Sequence, residues 1–97
     1  MRDGRVADFR IVCVTKDGIY PHDHIVSVGV GTSSYRWSVD QVRESLSHGD
    51  LFHTVGPLSG KIAHVRPFDC ECGARTIRSN FEMEPDNDLE QLHRCPH

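Results

Sequence analysis

No stretch of this chain approaches the ~20 consecutive apolar residues that a membrane-spanning helix requires, and the opening MRDGRVADFR has no apolar core of signal-peptide length. The first absence argues against a membrane span, and the second sets the expectation of a cytoplasmic protein. Lysine is scarce, with nine of the eleven basic residues being arginine. Arginine suits bidentate bonds to carboxylate or phosphate, but scattered arginines are ordinarily solvated surface. With a net charge of −3, the overall balance favours neither nucleic acid nor an anionic membrane. Internal repeats, low-complexity tracts, a nucleophile elbow and a phosphate-cradling glycine loop are all missing, so no local signature assigns a reaction.

What is present reads as one small folded domain, 1–97, with a flexible N-terminus of about residues 1–8. Hydrophobic residues at 37% and charged residues at 26% are ordinary for a globular chain of 97 residues. Phe9 to Lys16 carries the β-branched residues Ile11, Val12, Val14 and Thr15, which suit a pleated strand. His24 to Val30 places Val26, Val28 and Val30 two apart, the alternation of a strand with one buried face. Pairing Lys16 with His24 would set Val14 opposite Val26 and Val12 opposite Val28. Phe9, Ile11, Cys13 and Ile25 would then share the other face. Both sides of this hairpin need a cover.

Ser38 followed by Gln41 forms a capping box that announces a helix. Val39, Val42 and Leu46 recur on one helical face, and Gly49 ends it. Trp37, just before the cap, is placed to staple the helix by packing toward Val42. Leu51 to Val55 and Lys61 to Val65 form a second hairpin around Gly56, Pro57, Ser59 and Gly60. Ala74 to Ser79 is a weaker fifth run, and the acidic segment of about 82–97 reads as turn or loop with a short terminal helix.

RIVCVTKDG in the first strand, HDHIVSVG, RWSVDQV entering the helix, a Gly-Lys hairpin, Arg75-Thr76, and a closing pattern of Leu89, Leu92 and Cys95 occur in this order. Together they resemble an uncharacterised group of small bacterial and phage proteins, catalogued as domain of unknown function 3892. The resemblance spans most of the chain, but Asp88, Glu90 and His93 depart from the family's closing residues, and Cys70-Glu71-Cys72-Gly73 is particular to this sequence. The resemblance implies a fold and carries no activity.

The chemistry-bearing residues are the four cysteines and seven histidines. Without an export signal, cysteines are expected as thiols or metal ligands rather than disulfides. Two cysteines one residue apart can bring their sulfurs to the ~3.8 Å separation of a tetrahedral zinc site. Cys70, Cys72, His93 and Cys95 are therefore the expected ligands of any metal, which would be zinc. Cys13 reads as structural. His22-Asp23-His24 reads as solvated loop, because strand parity puts His24 and Cys13 on opposite faces.

The expected fold is α+β: an antiparallel sheet of four or five strands in the order strand, strand, helix, strand, strand, strand, packed by one helix. The expected function is a small non-enzymatic binding module acting through a protein partner. The alternative is a small thiol- or metal-dependent enzyme.

Overall fold

A computed structural model of the chain describes residues 7–18, 24–79, 88–89 and 92–96. In chain order the elements are β1 (Asp8–Lys16), β2 (Ile25–Val30), β3 (Arg36–Ser38), α1 (Val39–Ser47), β4 (Leu51–Val55), β5 (Ile62–Asp69) and β6 (Arg75–Ser79). They form one sheet in the order β3-β2-β1-β4-β5-β6. The α+β class holds, but the strands number six rather than four or five. The addition is β3, three residues that abut the helix cap and leave no room for a readable alternation. The sheet is also mixed: β1 and β4 run parallel, Phe9 opposite Phe52 and Arg10 opposite His53. Parallel neighbours need a crossover, and here it runs through β2, β3 and α1.

The first hairpin forms in a different register from the one the valine alternation suggests. Val14 lies opposite Val28 and Cys13 opposite Gly29, with irregularities between Ile11 and Cys13 and between Thr15 and Lys16. Each extra residue reverses the facing of those beyond it. Ile11, Val14, Ile25, Val28 and Val30 therefore join one core cluster with Val39, Val42, Phe52, Val65, Ile77 and Leu89. Val26 is displaced outward, 42% exposed. Cys13 points away from this cluster, so β1 is buried on both sides.

The far side of Cys13 is covered by the C-terminal segment. Val14 N–H donates to the His93 carbonyl (3.1 Å) and Cys95 N–H to the Val14 carbonyl (2.8 Å), a parallel bridge along β1. Cys13 and Cys95 are joined by a disulfide, correcting the expectation that all four cysteines are thiols or ligands. Gly29 makes room for it. A Cβ there would stand 2.5 Å from Cys13 Sγ and 2.9 Å from the Thr32 carbonyl oxygen. Arg36 donates to the Pro96 carbonyl, and Leu89 N–H donates to Ser79 Oγ (2.6 Å). Most of the acidic segment read as loop lies outside the described residues. β1 already begins at Asp8, the last residue of the N-terminal segment expected to be flexible.

The helix starts where the capping box requires. Ser38 Oγ accepts from Gln41 N–H (3.1 Å) and Gln41 Oε1 accepts from Ser38 N–H (2.8 Å). Val39 and Val42 are buried and Leu46 partly so. Trp37 sits within β3 opposite Val28. Its ring packs against Phe9 (5.3 Å between centroids), Phe52 (5.6 Å) and Tyr35 (6.3 Å).

The sheet curls far enough for β6 to meet the beginning of β2. Thr76 Oγ1 donates to the Ile25 carbonyl at 2.8 Å. Arg43 of α1 secures the same end, donating to the Thr76 carbonyl (2.8 Å) and pairing with Asp69 (3.0 Å).

Candidate metal centre

The β5–β6 hairpin closes through Cys70 to Ala74. Cys70 N–H donates to the Ala74 carbonyl (2.8 Å) and Gly73 N–H to the Cys70 carbonyl (2.9 Å). Gly73 has φ of 96°, a left-handed conformation that a side chain would strain. This tight turn folds Cys72 back on its neighbour, so that its N–H donates to Cys70 Sγ at 3.2 Å.

Because β6 reaches β2, the turn stands beside His24. His24 Nε2 lies 3.1 Å from Cys72 Sγ. The ligand atoms of His24, Cys70 and Cys72 all fall within 4.8 Å of one another, and no other described group of three or more His, Cys, Asp or Glu meets that spacing. His24 is positioned from below by Asp17: its N–H donates to Asp17 Oδ1 (3.2 Å) while its carbonyl accepts from Asp17 N–H (3.0 Å). A cleft of about 230 Å³ adjoins the imidazole and is lined by Asp17, Ser38, Asp40, Arg75 and Thr76 among others.

The two thiols are unequal. The bond with Cys70 first, then the Ala74 backbone and the His24 ring, hold the Cys72 thiol down to about 7 from an ordinary 9.0. The same thiol–thiol bond pushes Cys70 up. Cys72 is the exposed member and Cys70 is half-buried.

Two of the four ligands expected from the sequence thus stand together, and the other two are placed elsewhere. Cys95 is engaged by Cys13. His93 is exposed and contributes its carbonyl to Val14. His24, read as a solvated loop residue, is the group that joins the cysteines. Its local sequence carries no sign of this, because the approach depends on strands 51 residues apart, Ile25 and Thr76. His22 and Asp23 lie outside the described residues.

A second titratable cluster spans the β1, β4 and β5 strands. His53 Nδ1 lies 2.6 Å from Asp8 Oδ1 and His64 Nε2 lies 3.4 Å from Asp8 Oδ2. His53 and His64 are cross-strand partners. Desolvation draws the Asp8 carboxyl up, but the bonds and charges of the two histidines outweigh it and leave the group below its ordinary 3.8. Its stabilising contribution is present above that value and is lost as the pH falls through the lowered one. Asp8 is partly exposed, so the effect on stability is small.

No family model, curated protein or solved structure matches the chain. No helix among the described residues is long and apolar enough to cross a membrane.

Two sulfurs and an imidazole nitrogen form a donor set suited to a soft or borderline cation, zinc foremost. Tetrahedral zinc holds its ligand atoms about 3.3 to 3.8 Å apart. To reach that spacing the His24–Cys72 pair, at 3.1 Å, would open slightly while wider separations within the 4.8 Å cluster close, and three ligands would leave one coordination position for water or another ligand.

Proposed function

We propose that this chain is a small non-enzymatic binding module that holds one zinc-like cation through His24, Cys70 and Cys72. The observation that carries the reading is the convergence of these three ligand atoms within 4.8 Å. The metal would clip the β5–β6 turn to the start of β2, adding to the Thr76–Ile25 bond. Cys72 is exposed, so a ligating side chain of a protein partner could complete the coordination of such a cation.

Native mass spectrometry of the protein equilibrated with equimolar zinc tests the reading. One bound zinc is expected, lost in His24→Ala and in Cys72→Ser. Chelation should also accelerate hydrogen exchange at residues 70–75 while β1 stays protected. An apo mass with both free thiols still reactive would refute the site.

The lowered Cys72 thiol favours one other reading, a thiol-dependent enzyme, since thiolate is the nucleophile. That reading requires turnover of an electrophilic substrate by metal-free protein and its loss in Cys72→Ser.

A further inference from the structure

We propose that the cleft between β1, β3 and the C-terminal half of α1 is a recognition site for an organic cation, an ammonium or guanidinium group. The cleft has a volume of about 330 Å³ and shares no residue with the His24–Cys70–Cys72 cluster. One wall is aromatic. Phe9 and Trp37 line it, and Phe52, wholly buried behind them, packs against both at 5.1 and 5.6 Å. This backing fixes the two rings in place, so their orientation need not be ordered on binding.

The other wall is acidic. Asp50 lines the cleft although its residue is only 2% exposed, and its Oδ2 accepts from Ser45 Oγ at 2.5 Å. Glu44 stands at the rim, and its carboxylate makes no hydrogen bond or ion pair among the described residues. Gln41, also in the lining, has its oxygen committed to the Ser38 cap. Among the described lining residues, His48 alone can carry positive charge, beside the carboxylates of Asp50 and Glu44.

These walls select a ligand class. An anion would meet Asp50 and Glu44, and a neutral apolar group would gain nothing from either carboxylate. A hard metal ion requires an oxygen cage, which the aromatic wall cannot supply. A cation with its charge spread over methyl groups or a guanidinium plane suits both walls, the aromatic rings on one side and the carboxylates on the other. Such a group occurs in a free quaternary amine and in a lysine, methyl-lysine or arginine side chain of a peptide.

Trp37 is the only tryptophan in the chain, so intrinsic fluorescence reports directly from this cleft. We expect a saturable change in Trp37 emission on titration with choline. The change should be absent with sodium chloride at equal ionic strength, and at least roughly tenfold weaker with 3,3-dimethylbutanol, the uncharged isostere. Glu44→Gln, a surface change that leaves the fold intact, should weaken choline binding several-fold. A peptide carrying trimethyl-lysine separates the two sources: much tighter binding than choline identifies a protein side chain, and equal binding a free amine. A fluorescence change that follows ionic strength alone, an equal response to the neutral isostere, or unaltered binding in Glu44→Gln would each overturn the assignment.

Discussion

Replacing Gly29 with alanine tests whether the Cys13–Cys95 bridge fills the space beside β2. The new Cβ would stand 2.5 Å from Cys13 Sγ, 2.9 Å from the Thr32 oxygen and 3.2 Å from Ser33 Cα. Carbon and sulfur need about 3.5 Å or more to avoid repulsion, so the sulfur would have to move by roughly 1 Å. It is tethered at both ends and cannot swing aside. We therefore expect a loss of about 3 kcal/mol, at the upper end of ordinary overpacking. In a Cys13→Ala, Cys95→Ala background the sulfur is gone and only the Thr32 and Ser33 backbone contacts remain. There the same change should cost about 1 kcal/mol, giving a coupling of about 2 kcal/mol. The bridge closes a sequence separation of 82 residues, so its removal costs about 4.5 kcal/mol on the chain-entropy account. The four proteins should accordingly be compared by urea titration with a stabilising osmolyte present throughout. An equal cost of Gly29→Ala in both backgrounds would refute the steric argument.

Val42 is 0% exposed, and Val42→Ala should cost about 2 kcal/mol through lost burial and a residual cavity, read from the denaturation midpoint. Ser38→Ala removes the acceptor for Gln41 N–H and should cost about 1 kcal/mol; an unchanged midpoint would move the helix start elsewhere. In metal-free protein, alkylation of Cys72 should be half-maximal near pH 7, with thiolate and reactivity both increasing as pH rises. Cys70→Ala, which removes the largest cause of the lowering, should move that midpoint upward.

The parts of this molecule that could be read from sequence are those whose partners are close along the chain. The Ser38–Gln41 box spans three residues, and its geometry is nearly independent of the rest of the fold. The second hairpin has its breakers at Gly56, Pro57, Ser59 and Gly60, and its two strands do pair; the structure sets Val55 opposite Ile62. The first hairpin was recognisable as an element, but its facing depends on two irregularities that valine spacing does not reveal. The parallel β1–β4 contact and the Cys13–Cys95 pair are longer-range still. Compartment reasoning pointed away from a disulfide, and no local pattern opposed it. Two of the three proposed metal ligands were visible, because Cys70 and Cys72 share one turn. His24 arrives only through the curl of the whole sheet.

The Cys13–Cys95 linkage also makes the domain close to a ring in polymer terms. The β4–β5 turn carries Leu58, 92% exposed, and such projecting tips are favoured points of proteolytic attack. A single cut there places Cys13 in one fragment and Cys95 in the other. The nicked chain would keep its full mass, apart from one added water, until reductant is supplied. Opening the loop and parting the pieces are thus two separate events, and the redox state of the surroundings decides whether the second follows the first.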